Sequence, residues 1–190
     1  ENALMIGLLS MYPKHVMAAP SVEREVRARL FDDASEQAIK MFEINLKPLL
    51  MQPPVKNKVT MGWDPAFRTG CKICVVDGTG KVLDKTVVYP TPPQNKTEEA
   101  KKTLKALIEK YGVEVISCGN GTASKESEIF IAELIKEIKA ETGREVGYVI
   151  VSEAGASVYS ASALGAEEFP DYDVTARSAV SIARRLQDPL

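Results

Sequence analysis

A chain of 190 residues with 45% hydrophobic content has room for one sizeable core and an appendage. A net charge of −2 excludes a globally basic nucleic-acid binder, so any such role rests on local patches, and no run of 18 apolar residues exists to span a membrane as a helix. Three cysteines, an odd number, speak against a disulfide framework and for a reducing compartment, the cytoplasm by default.

The opening stretch Ala3 to Met11 is apolar but lacks the basic residues that precede the core of a secretion signal. From Ser21 the pattern turns helical. Pro20-Ser21 reads as a cap, Glu23 and Glu25 suit the positive end of the dipole, and Val22, Val26, Leu30, Ala34, Ala38, Met41 and Leu46 form an apolar stripe. Asp33-Ala-Ser-Glu36 has the form of an internal capping box, which allows a break near Asp32. Pro48 kinks or ends the helix and Gln52-Pro53-Pro54 closes it. Residues 1–54 therefore read as a helical arm of a longer protein, and residues 55–190 as the main domain.

Val59, Met61 and Trp63 alternate at the period of a strand that ends at Asp64, where Pro65 removes a ladder donor. Cys71 to Val76 is a second strand, Asp77-Gly-Thr-Gly80 a hairpin turn, and Lys81 to Tyr89 a third strand, an antiparallel meander. Pro90, Pro92 and Pro93 break the sheet. Asn95-Lys-Thr-Glu98 reads as a capping box for a helix with Ala100, Leu104, Leu107, Ile108 and Tyr111 on one face, stopped by Gly112. Val113 to Cys118 is a fourth strand and Gly119 to Thr122 a turn. Ser124 caps a second helix that runs to Gly143, and Gly147 to Val151 is a fifth strand. An Ala-rich helix up to Phe169-Pro170 and a last helix, capped by Asp173 and running toward Leu186, complete the chain.

This order predicts an α/β fold, a mixed five-stranded sheet with helices on both faces. Ligands gather at the carboxyl ends of the parallel strands in such sheets, here Asp64, Cys118 to Thr122, and Ser152-Glu153. A lone carboxylate there is costly to bury, so it is either bonded by a turn or held for a ligand. Asp64, Glu153 and Asp188 are the candidate catalytic acids and, for magnesium or manganese, the candidate metal ligands. Glu153 also reads as a residue at a helix start, and Asp188 as the partner of Arg184 or Arg185. Candidate nucleic-acid contacts are Arg68 and Lys72 beside Asp64, Asn120 and Thr122 in the strand-to-helix turn, and Arg177 and Arg184 on one face of the last helix with Ser181 and Asp188. Lys96, Lys101, Lys102 and Lys105 form a basic patch that a plain exposed helix face explains as well. Cys71 and Cys74 spell C-x-x-C, but three residues apart in a strand they point to opposite faces. His15 is the single histidine, so no histidine triad can be assembled.

The words Asp64-Pro-Ala-Phe-Arg-Thr-Gly-Cys-Lys72, Tyr89-Pro-Thr-Pro-Pro-Gln-Asn95, Gly119-Asn-Gly-Thr-Ala-Ser124, Ser152-Glu-Ala-Gly-Ala-Ser-Val-Tyr-Ser160 and Ala179 to Leu190 resemble the YqgF domain of the bacterial transcription accessory (Tex) family. The resemblance begins near Ala19. It implies an RNase H-like fold of the RuvC and YqgF branch, a fragment of a longer protein, nucleic acid (RNA or DNA) and the transcription machinery as partners, and no membrane. It does not imply nuclease activity. RuvC-like nucleases carry an acid at the end of the fourth strand, where this chain has Gly119-Asn120-Gly121, and Ala66 stands where the family usually has Gly. A nucleic-acid-binding domain without efficient cleavage is the expectation, and a magnesium-dependent nuclease or junction resolvase the alternative. A nucleotide-binding lobe of the actin type, which needs two lobes, and a purely scaffolding role stand behind them.

Overall fold

The computed structural model describes residues 14–189, and the apolar stretch Ala3 to Met11 lies outside them. The chain divides into two compact units, Glu1–Leu49 and Leu50–Leu190.

The first unit is built on helix α1 (Lys14–Leu50), 37 residues without a break. The break that the Asp33 to Glu36 box allows near Asp32 does not occur: the helix runs through it, and the Ser35 hydroxyl bonds back to the Phe31 carbonyl at 2.7 Å. Pro20 is an interior residue rather than part of a cap. Ion pairs from Glu23 to Arg27 (2.8 Å) and from Glu25 to Arg29 (2.6 Å) staple the turns that follow it. Pro48 lies in the last turn, where it removes one ladder bond, and the helix ends two residues later. The stripe is uncovered: Leu30 is 62% and Met41 55% exposed.

The second unit is a five-stranded sheet in the order β3-β2-β1-β4-β5. Its elements are β1 (Thr60–Asp64), β2 (Cys71–Val76), β3 (Val82–Val88), α2 (Thr97–Tyr111), β4 (Val115–Gly119), α3 (Ser124–Thr142), β5 (Gly147–Val151), α4 (Ala156–Ala161), α5 (Ala163–Glu168) and α6 (Val174–Gln187). β1 pairs antiparallel with β2 and parallel with β4, β2 antiparallel with β3, and β4 parallel with β5. This is the mixed sheet expected from the element order. β1 is central and buried on both faces. Met61 and Trp63 enter the larger core, against Leu104 and Ile108 of α2 and Phe130, Ile131 and Leu134 of α3. On the other face, Cys74 and Val76 meet Ala179, Val180 and Ala183 of α6, and Val115 and Val151 meet Ile182 and Leu186. Cys71 and Cys74 thus face opposite cores, and both thiols are free and buried.

The β2–β3 turn is closed by Asp77, whose carboxylate accepts from the Thr79 N–H at 2.8 Å and the Lys81 N–H at 3.0 Å. Three boundaries differ from the sequence reading. Asn95 adopts a left-handed backbone (φ 48°) and closes the preceding loop instead of capping, so α2 starts at Thr97 with no side-chain cap. Ala123, also left-handed, holds the N-cap position of α3, and Ser124 is its first helical residue. Ser162 splits the Ala-rich segment into α4 and α5 because its hydroxyl accepts from the Gly165 N–H and starts a new helix. Asp173 caps α6 as expected, accepting from the Ala176 N–H at 2.7 Å. Ala66, in place of Gly, needs no left-handed backbone, so the substitution carries no strain.

Candidate functional site

α6 runs back along β1, and Gly62 sets how close it comes. A Cβ at Gly62 would overlap the Ala179 carbonyl oxygen and stand 2.8 Å from the Ala183 Cβ, so the helix backbone rests directly on the sheet. Ser117 locks the approach, donating to the Ile182 carbonyl at 2.7 Å. Ser178, near the start of α6, thereby meets Asp64 at the carboxyl rim. Burial raises the Asp64 carboxyl above the usual range, while the Ser178 hydroxyl and the Lys72 ammonium, its cross-strand neighbour, pull it down.

Glu153, two residues beyond β5, comes to the same rim. Burial raises its carboxyl, the negative charge of Asp64 adds to that, and the Gly121 N–H opposes both. Its carboxylate lies over two glycines: a Cβ at Gly119 or at Gly121 would collide with it. Its backbone N–H donates to Asn120 Oδ1 at 3.2 Å, and Arg185 grips the carbonyls on either side, Ser152 at 2.5 Å and Ala154 at 2.6 Å. The space above the end of β4 is thus the space that this glutamate fills.

Asp188 stands apart. It caps the C-terminal end of α6, its N–H bonded to the Arg184 carbonyl at 2.7 Å, ten residues and roughly 15 Å of helix beyond Ser178. There it lines a cleft with Asn57 and Gly80, at the opposite end of the sheet from Asp64. Among the described residues no group of three or more His, Cys, Asp or Glu side chains could hold a metal ion. Two carboxylates with a lysine beside one of them do not fit a two-ion clamp, which needs anionic ligands around ions about 4 Å apart.

The other candidates divide in the same way. Arg68, Asn120 and Thr122 are exposed at the rim. Lys72 is 8% exposed, and its ammonium donates to Thr69 Oγ1. Arg177 bonds the carbonyls of Phe169 (3.1 Å) and Ser160 (3.3 Å), and Arg184 bonds Gly80 O (2.8 Å) and Glu168 (2.6 Å), so both clamp backbone and neighbours rather than standing open to phosphate. Lys101 and Lys105 are paired with Glu137 at 2.6 and 3.0 Å and Lys96 with Glu99 at 3.5 Å, so three of the four lysines of the basic patch have acidic partners. Two residues that shape the rim, Ser178 and Arg185, were not among the candidates. Once Ala179 and Ala183 are taken as the sheet-facing pair, helical phase puts Ser178, Ile182 and Arg185 on one flank, a signal available in the spacing.

Residues 58–187 match the family described as Tex protein YqgF-like domain. The chain belongs to this family. An uncharacterized protein, YdcI of Bacillus subtilis, is 57% identical over 171 residues, 90% of this chain and 23% of its own length. A transcriptional accessory protein Tex from Neisseria gonorrhoeae is 48% identical over 170 residues, 90% of this chain and 22% of its own. The chain thus spans under a quarter of these relatives. Among solved structures, RuvC of T. thermophilus in complex with a Holliday junction substrate aligns with a TM-score of 0.44 at 17% identity, covering 66% of this chain and 90% of that one. In this YqgF-like domain no described helix is long and apolar enough to cross a membrane.

The raised carboxyl of Asp64 carries a signed prediction. A folded-state pKa above the unfolded one means that the folded chain holds this proton more tightly, so stability falls as pH rises from about 4 through the folded value. Asp64→Asn removes the buried charge. Its melting temperature should exceed the parent's by a few degrees at pH 7, and the gain should vanish below pH 4. Melting curves at both pH values check this, and a loss at pH 7 would mean that Ser178 and Lys72 outweigh burial.

Proposed function

We propose that this domain binds nucleic acid within a longer Tex-like transcription accessory protein of the cytoplasm and does not cleave it efficiently. The observation that supports the reading best is the packing of Glu153 over Gly119 and Gly121, because it puts a side chain from the fifth strand where a nuclease needs a ligand from the fourth. Lys72 supplies a fixed positive charge beside Asp64, and Asp188 is committed to the far end of α6. Arg68, Asn120 and Thr122 remain open at the rim for phosphate or sugar contacts. The names of relatives such as Tex of Neisseria gonorrhoeae agree with a place in transcription.

The test uses labelled single-stranded, duplex and branched substrates with magnesium or manganese. Binding without cleavage is expected. Cleavage that Asp64→Asn abolishes would overturn the reading in favour of a metal-dependent nuclease or junction resolvase acting through Asp64 and Glu153.

A further inference from the structure

The turn that follows β4 and the segment that follows β5 are joined through backbone. The Glu153 N–H donates to Asn120 Oδ1 at 3.2 Å. Arg185 of α6 holds Glu153 from both sides, because one nitrogen, Nη1, donates to the carbonyls of Ser152 (2.5 Å) and Ala154 (2.6 Å). The Ser152 hydroxyl tightens the same segment by accepting from the Ala154 N–H at 3.3 Å. A side-chain amide is an acceptor at one end and a donor at the other. With Oδ1 engaged by Glu153, the end of Asn120 left for a ligand is the Nδ2 donor, and Asn120 is exposed. An amide held in one orientation before binding also loses less freedom when a ligand arrives.

The surroundings decide which oxygen that donor suits. The Glu153 carboxylate lies over Gly119 and Gly121, the residues on either side of Asn120, and feels the negative charge of Asp64 on the same rim. A phosphate brought to Nδ2 meets both charges, whereas a sugar oxygen or a base carbonyl carries no charge and is not repelled. Thr122, exposed two residues on, adds a hydroxyl that donates to the same kind of oxygen. Phosphate contact falls to Arg68, exposed on the loop between β1 and β2.

We infer that Arg185 is a positioning residue for nucleic acid at the rim: by fixing the Ser152 and Ala154 carbonyls it sets the Glu153 N–H, which aims Asn120 Nδ2 at an uncharged sugar or base oxygen. The inference deepens the nucleic-acid reading above and rests on it. The 190-residue chain, isotopically labelled, is titrated with a short single-stranded oligonucleotide while the Asn120 side-chain amide is followed by NMR, and affinity is measured across roughly 50 to 200 mM salt. The Nδ2 resonances are expected to shift and saturate. Asn120→Ala is expected to weaken binding about fivefold and Arg185→Met about threefold, both with the salt slope of the parent, whereas Arg68→Met lowers that slope by about 0.7. The two rim substitutions together are expected to bind no more weakly than Asn120→Ala alone. A loss from Arg185→Met that persists undiminished in the Asn120→Ala background overturns the positioning role, and a reduced salt slope with it identifies Arg185 as a phosphate contact. Parent-like binding by Asn120→Ala overturns the role too. So do unmoved Nδ2 resonances in the parent, a readout that stands even where Arg185→Met fails to fold. No binding by the parent chain overturns the nucleic-acid reading as well.

Discussion

Replacing Gly62 with alanine is expected to destabilise the main unit by about 3 kcal/mol or more and to lower its melting temperature by roughly 10 °C. The added methyl has nowhere to go. Its nearest neighbours are the Ala179 carbonyl oxygen, which is helix backbone, and the Ala183 Cβ, which has no rotamer to change. α6 must therefore move off the sheet as a body. That movement loosens the Ser117 bond to Ile182, the Gln187 bonds to Lys58 and Asp77, and the close packing of Ala179 and Ala183 on β1, all of which report the same helix position. Gly147→Ala is the matched control, since a Cβ there meets nothing within 4 Å. Circular dichroism melts of both variants and the parent decide the matter. A Gly62→Ala midpoint within 2 °C of the parent would show that the contact between helix and sheet is softer than the geometry implies.

The sheet was legible because its signals are local. The Val59 to Trp63 alternation, the Asp77 to Gly80 turn and the alternation of helix and strand after Pro93 each constrain a few consecutive residues, and right-handed crossovers do the rest. What the sequence hid was phase and direction over longer distances. A helix from Asp173 to Leu186 could be read from its cap and its alanines. Its direction relative to β1 could not be weighed without the sheet order, and that direction separates Asp188 from Asp64 while bringing Ser178 to it. Glycines carried a second hidden layer. Gly119 and Gly121 read as the residues of a turn, but their larger role is to leave space for a side chain from another strand. The charges on α6 misled for a related reason: Arg177 and Arg184 have the spacing of a phosphate stripe, yet each reaches a carbonyl whose position only the folded chain defines.

Placing an acid at the end of β4 gives the sharpest test of the rim. Gly119→Asp is expected to lower stability by roughly 2–4 kcal/mol at pH 7, because a third carboxylate joins Asp64 and Glu153 in a place that already raises both of their pKa values. Gly119→Ala separates the two parts of that loss. Its Cβ displaces the Glu153 carboxylate, a flexible group, and approaches Ile182 and Pro65 at 3.2 Å, so it should cost less and depend less on pH, since it adds no charge. The extra loss in the aspartate variant is electrostatic. The added charge raises the folded-state pKa values further, so the loss is full at neutral pH and fades as the pH falls toward 4 and the carboxyls take up protons. Millimolar manganese should recover part of the extra loss in Gly119→Asp and none in Gly119→Ala, since only the former directs three carboxylates toward one point. Thermal melts across pH 4 to 8, with and without manganese, read all of these outcomes. If the two variants melt together at pH 7, the carboxylates of Asp64 and Glu153 do not share the space above Gly119.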